Sequence, residues 1–233
     1  MPASYQRIVD AFLGTGLAVR GGFATEGGEA RSLVLIGNCG SGLWAAFSAA
    51  RRYEPNPLDA WTRRVTGPIA TQFGARAVYP NDRPFHPFQQ WAQRAEPVRP
   101  SPLGILIHPE HGLWHAYRAA LLFPFVVAGL PERRDAASPC DSCVTKPCLS
   151  ACPVSAFNGA TYDVTACGGH LRGGGAPDCA DLGCRARDAC PVAPEQRYPQ
   201  AQIAFHMAAF VKSRGTGLSA TQPANATKPR SAP

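Results

Sequence analysis

The sequence predicts a mixed α/β (α+β) protein. A small N-terminal layer of helices and strands covers residues 1–133, a loop-rich cysteine-bearing unit covers 134–212, and a disordered tail covers 213–233. Three observations carry this. The first 130 residues alternate helix-period segments with short apolar runs. Composition changes abruptly at "ERRDAASP" (132–139), and eight of the nine cysteines fall between 140 and 190.

The elements follow in order. "SYQRIVDAFLG" (4–14) sets Ile8, Val9, Phe12 and Leu13 at helical spacing, and the Gly-rich "GLAVRGGFATEGGEA" (16–30) reads as a connection. "SLVLIGN" (32–38) is a nearly continuous apolar run, suited to a buried strand. "SGLWAAFSAARRY" (41–53) and "NPLDAWTRRVTGPIATQF" (56–73) read as helices, the second with Asn56 as N-cap and Pro57 in its first turn. "ARAVYP" (75–80) and "LGILIHP" (103–109) are strand candidates flanking a short helix, "PFQQWAQRA" (87–95). "HAYRAALLFP" (115–124) fits strand or helix, and "YPQAQIAFHMAAFVK" (198–212) reads as a closing helix with Ile203, Met207 and Phe210 on a face that packs back on the core. From residue 213 on, the chain lacks aromatics and is rich in Ser, Thr, Ala and Pro.

Composition narrows the function classes. At 233 residues with 45% hydrophobic and 17% charged content the chain is long enough for a proper core. The longest apolar run, "AALLFPFVVAGL" (119–130), is too short for a span of about 20 residues. No signal-peptide pattern opens the sequence, and a cytoplasmic location is expected. The formal charge is +7, but eight thiolates around two dicationic iron–sulfur cores would lower it to +3. Twenty of the 23 basic residues are Arg, scattered rather than clustered, which favours a solvated surface over a nucleic-acid footprint.

The cysteines are the strongest signal. Cys140, Cys143, Cys148 and Cys152 form one set, and Cys167, Cys179, Cys184 and Cys190 a second, each ending in Cys-Pro. A cubane needs four converging thiolates. In two-cluster ferredoxins the Cys before Pro ligates the other cluster. On that rule one [4Fe–4S] cluster takes Cys140, Cys143, Cys148 and Cys190, the other takes Cys167, Cys179, Cys184 and Cys152, and Cys39 is left over. The four-residue gap Val144–Pro147 is longer than the usual two and reads as a loop that bulges outward. Disulfides need an oxidising compartment for which no leader speaks. Zinc, as in a zinc-stabilised interaction module, shares the C-x2-C spacing but not the paired Cys-Pro endings.

Residues 140–191, with "CLSACPVSAF" and "YDVTAC", resemble the two-cluster ferredoxin-type domain of bacterial ferredoxins and, in motif order, that of the epoxyqueuosine reductases. "GILIHPEHGLWHAYRAALLFPFVVAGLPER" (104–133) resembles the CblC-type cobalamin-processing proteins through Ile107, His108, Pro109, Gly112, Trp114, Ala116 and Arg118. That second resemblance implies a trimmed, nitroreductase-like layer binding a corrinoid (cobalamin), with His108, Trp114 and Arg118 as cofactor-binding residues. The two together imply an oxidoreductase that moves electrons through two clusters to a corrinoid or another acceptor, with donor and acceptor proteins or a small molecule as partners and no membrane. A non-catalytic electron-carrier or assembly subunit is the rival. The helical-repeat region with which epoxyqueuosine reductases grip tRNA has no counterpart here, and no catalytic carboxylate is identifiable.

Two further motifs have plain readings. "HPEHGLWH" gathers His108, His111 and His115 and invites a metal, but Pro109 and Gly112 break the helix that an i,i+4 zinc pair uses, which favours satisfied loop histidines. "GNCGSG" (37–42) follows a strand but lacks the order of a nucleotide-binding loop, so Cys39 is expected to be a small loop or core residue.

Overall fold

The computed structural model describes residues 3–173 and 178–215. The chain forms two units. The first comprises Met1–Arg99, Leu106–Asp141 and Val192–Pro199; the second comprises Pro100–Ile105, Ser142–Pro191 and Gln200–Pro233. Helix and sheet are mixed, as predicted.

The first unit opens with α1 (Tyr5–Phe12), where the Ser4 side chain accepts from the Arg7 N–H and Ile8 and Phe12 are buried one turn apart. Next come β1 (Ala18–Ala24), β2 (Ser32–Cys39), α2 (Gly42–Ala50), α3 (Pro57–Gln72), β3 (Arg76–Val78) and α4 (Phe88–Ala95). After β4 (Arg99–Pro100) and β5 (Leu106–Ile107), β6 (His115–Phe123) completes a four-stranded sheet of order β1-β2-β6-β3, antiparallel throughout. β2 is buried along seven of its eight residues because both faces are covered, which is why its sequence is an unbroken apolar run. Leu33 and Leu35 face a cluster with Val78, Phe88, Ala92, Ala95, Val98 and Ala120. α2 packs on β2, and α3 on β3 and β6, bringing Phe47 and Trp61 edge to face at 5.8 Å.

Three expectations need correction. The stretch 16–30 is not a plain connection but contains β1, whose glycines serve close approach rather than a turn. Gly21 sits at φ +82° in a bulge, where a Cβ would lie 2.7 Å from the Ala95 carbonyl oxygen, and a Cβ on Gly22 would lie 2.7 Å from Leu33 O. The strand expected over 103–109 shrinks to Leu106–Ile107, because Gly104 at φ +74° turns the chain before it. Asn56 is left-handed and makes no side-chain cap to α3.

The bulge accompanies a buried ion pair. Arg20, 2% exposed, donates from Nε to Glu96 Oε1 and from Nη2 to Glu96 Oε2, both at 2.9 Å. Its Nη1 donates to the Asn38 carbonyl at 3.1 Å and to Cys39 Sγ. Tyr117 donates its hydroxyl to Glu96 Oε2 at 2.5 Å and lays its ring 5.5 Å from the guanidinium. Burial works against the Arg20 charge, and Glu96 more than offsets it, so the guanidinium stays protonated.

The second unit contains α6 (Pro147–Ser150), α7 (Val164–Arg172), a π-turn (Asp178–Leu182), α8 (Arg185–Asp188) and α9 (Gln200–Gly215), with the four-residue α5 (Pro139–Ser142) just before it. α9 packs on α7 and the π-turn, with Gln202 fully buried and Ile203 against Gly183. It therefore covers the second cysteine motif, where the sequence suggested Ile203, Met207 and Phe210 against the core. The tail expected from residue 213 begins inside α9, and its part from 216 on lies outside the described residues. Among the described residues no helix is long and apolar enough to cross a membrane.

Removing Glu96's charge leaves a buried guanidinium unpaired. Glu96→Gln should lower stability by about 3 kcal/mol in urea denaturation. Arg133→Ala, which breaks the exposed pair with Asp135 at 3.2 Å, should cost about 0–1 kcal/mol. Equal losses in the two variants would deny the buried pair its role.

Candidate functional site

Two groups of side chains carry chemistry, one in each unit. In the second unit, α6 starts at Pro147 after Lys146 in left-handed conformation (φ 39°), and Val144 in the preceding gap is 91% exposed. The widened gap does bulge into solvent. Cys148 follows in the first turn of α6, whose Leu149 amide donates to Lys146 O at 2.9 Å. Burial raises the Cys148 thiol, and the neighbouring thiolates of Cys190 and Cys143 raise it further. Cys190, from the end of the second motif, thus stands beside two cysteines of the first.

Cys184 shows the same pattern. It is the N-cap of α8, with no hydrogen bond from the helix amides to its side chain. Burial pushes its thiol up, and the charges of Cys167 and Cys179 add to that. Cys167 rides on α7, capped by Asp163 accepting from Ala166 N–H at 2.8 Å, and Cys179 lies buried in the π-turn. Gly183 holds the turn at φ +99°; a Cβ there would meet Ile203 Cγ2 at 2.5 Å. Cys152 receives the Ala156 N–H at 3.3 Å, below the stacked rings of Phe157 and Tyr162, whose centroids are 4.5 Å apart. Cys140 lies on α5. All nine cysteines are free thiols.

The first unit gathers the histidines in a turn. His108 N–H donates to Gly112 O and Gly112 N–H to His108 O, both at 2.9 Å, closing a three-residue loop over Pro109, Glu110 and His111. Gly112 is required at its φ of +54°, since a Cβ would fall 2.2 Å from Val192 O. The His108 and His111 rings stack at 4.5 Å, and His115 stands edge-on to His108 at 6.0 Å. His108 Nδ1 accepts from the Glu110 N–H at 3.0 Å, and His115 Nε2 donates to Leu106 O at 3.1 Å. Burial first, then the Arg20 guanidinium, lowers all three imidazoles, His108 to about 4 and His115 to about 3. Ligand atoms of His108, Glu110 and His111 lie within 4.8 Å of one another.

Of the residues expected to hold a corrinoid, His108 is thus part of a histidine cluster. Trp114 is 2% exposed with its indole edge-on to Tyr198 at 5.4 Å, and Arg118 is half-buried where the β6 register shifts. Sequence reasoning missed Glu110 as a partner of the histidines, and the Arg20–Glu96–Tyr117 group altogether. Pro109 and Gly112, read as helix breakers, were the signal for a turn that brings His108 and His111 together. Cys39 lies at the end of β2, and burial raises its thiol while Arg20 opposes the rise.

No family model matches the chain, and no curated protein matches it. Three similar solved structures are epoxyqueuosine reductases. One, bound to an epoxyqueuosine-modified tRNA-Tyr stem loop, has 16% identity and a TM-score of 0.44, covering 74% of this chain and 51% of that one. A selenomethionine-labelled enzyme has 15% identity and a TM-score of 0.45, covering 76% and 52%. The enzyme from Bacillus subtilis, with its catalytic loop swung out, has 15% identity and a TM-score of 0.46, covering 74% and 52%. The chain spans about half the length of these enzymes.

The low value for His115 fixes a sign. An unfolded chain takes a proton on this residue below about pH 6.5, and the folded chain refuses it down to about 3. The contribution is complete above pH 6.5 and declines as pH falls. Stability should drop by about 1 kcal/mol between pH 6 and 5 from this residue. His115→Gln should flatten that part of the urea-midpoint profile; an unchanged slope would exclude His115 as its source.

Proposed function

We propose that the chain is an iron–sulfur redox protein that carries two [4Fe–4S] clusters and passes single electrons. The observation that carries this is the grouping of sulfurs: Cys190 with Cys143 and Cys148, and Cys167 and Cys179 with Cys184. It supports the crossed ligand sets, in which Cys140 joins the first group and Cys152 the second. Two features favour this reading over structural cysteines. Thiols whose ionisation is mutually opposed gain from a cationic group that takes their protons. The backbone amide of Ala156 already donates to Cys152 at 3.3 Å.

When bound, each cluster supplies a one-electron redox couple. The chain's own contribution is to hold the thiolates, to stabilise added negative charge on Cys152 through the Ala156 N–H, and to cover the second motif with α9.

The corrinoid reading finds less support. His108 and Trp114 are 5% and 2% exposed, and a macrocycle needs an open face against such residues. Their enclosure favours the carrier reading, in which the acceptor is a partner protein or a small molecule and the first unit is not the seat of cobalamin chemistry.

Anaerobically purified protein should contain about eight iron and eight sulfide per chain. Cys190→Ser should reduce iron toward about four, while Cys39→Ser should leave it unchanged. Zinc without sulfide in the purified protein would overturn the proposal. Retention of added hydroxocobalamin through gel filtration would restore the corrinoid acceptor.

A further inference from the structure

We infer that His108, Glu110 and His111 form a mononuclear site for a divalent first-row transition ion, separate from the cysteine groups. Among the described residues, these three supply the one set of three His, Cys, Asp or Glu ligand atoms within 4.8 Å of one another. A tetrahedral ion with bonds of about 2.0–2.2 Å holds its ligand atoms about 3.4 Å apart. Ligation therefore turns side chains: Glu110, long and exposed, swings onto the two rings, and the stacked rings rotate until their nitrogen lone pairs meet.

The backbone that carries the histidines is held, and each ring has a nitrogen to offer. The paired hydrogen bonds between His108 and Gly112 leave the turn little freedom, and Trp114 N–H bonds back to His111 O at 2.9 Å. His108 Nδ1 accepts a hydrogen bond, which makes it the unprotonated nitrogen of a neutral ring; ligation exchanges that bond for the ion. His111 Nδ1 is enclosed and has no hydrogen-bond partner, so it loses nothing by ligating. His115 is a wall of the site rather than a ligand, since its Nε2 is engaged by Leu106 O.

Charge and size select the occupant. Two imidazoles and one carboxylate suit zinc, cobalt, nickel or ferrous iron rather than magnesium or calcium, which prefer all-oxygen sites. The nearby Arg20 charge is matched by Glu96, and Glu110 supplies the negative charge facing the ion. An ion enters an enclosed cluster that has no open face for a macrocycle. Three protein ligands leave a position for water or a small anion.

The test uses the intact holoprotein with zinc as probe. After anaerobic dialysis against zinc chloride and removal of loosely bound ion, zinc and iron are measured together, and the zinc environment is read by X-ray absorption. The expected result is about one zinc per chain, with iron unchanged and only nitrogen and oxygen at about 2.0–2.2 Å. Glu110→Gln and His111→Gln should each weaken zinc retention at least tenfold without changing iron content; Glu110 is exposed, so the first substitution leaves the fold intact. Zinc held equally by both variants, no retained zinc, or a sulfur shell at about 2.3 Å would each overturn the inference. Because iron is counted separately, failure here leaves the two-cluster proposal standing.

Discussion

The Arg20–Glu96 pair is the constraint on which the first unit turns. Taking a guanidinium and a carboxylate out of water costs several kcal/mol per ion, recovered only when geometry and hydrogen bonding are nearly complete. Here the fork of Arg20 meets both carboxylate oxygens, and its third nitrogen reaches the end of β2. One cation thereby ties β1, β2, β6 through Tyr117, and the residue that follows α4. The bulge at Gly21 belongs to the same arrangement, since it lets the β1 backbone approach Ala95 next to Glu96. Loss of either charge would strand the other in the sheet's interior.

The same cation sets the chemistry of the histidine turn. Imidazoles close to a buried positive charge and shielded from water are poor proton acceptors, and three of them lie within its influence. Neutral rings can stack, as His108 and His111 do at 25° between planes; two imidazolium ions would repel. The turn's geometry and the ion pair's field thus act in one direction. Both favour bare nitrogen lone pairs in an enclosed loop.

Legibility in the sequence followed locality. β2, the helices α2 to α4 and the two cysteine motifs were readable because their signals are runs or spacings within some twenty residues. β1 was hidden because its glycines mimic a loop while serving backbone approach. Arg20 and Glu96 are 76 residues apart, and nothing in either neighbourhood announces the other. The gathering of the histidine rings is hard to read for a different reason. Pro109 and Gly112 do exclude a helix, but a closed bridge from His108 to Gly112 gathers the side chains without one. The association of Cys190 with the first motif was legible only through the recurrence of Cys-Pro, since spacing alone leaves it with Cys184.

The two units solve opposite problems of stability. The first buries apolar side chains on both faces of its sheet, around the paired charges of Arg20 and Glu96. Among the described residues, the buried apolar set of the second unit comprises Leu103, Ala156, Phe157, Cys179, Ala186 and Cys190, two of them cysteines. So small an apolar set contributes little against the entropy of ordering a chain rich in turns. Thiols pressed together in such a unit resist ionisation, as Cys148 and Cys184 do, so the bare fold is least comfortable where its cysteines converge. In the two-cluster reading, binding free energy becomes folding free energy for this unit, as it does for small metal-dependent domains. Two of the helices there are only four residues long, α6 and α8, and both lie next to cysteines. On that reading the unit would take its order from what it ligates, whereas the histidine turn is ordered by its own backbone hydrogen bonds.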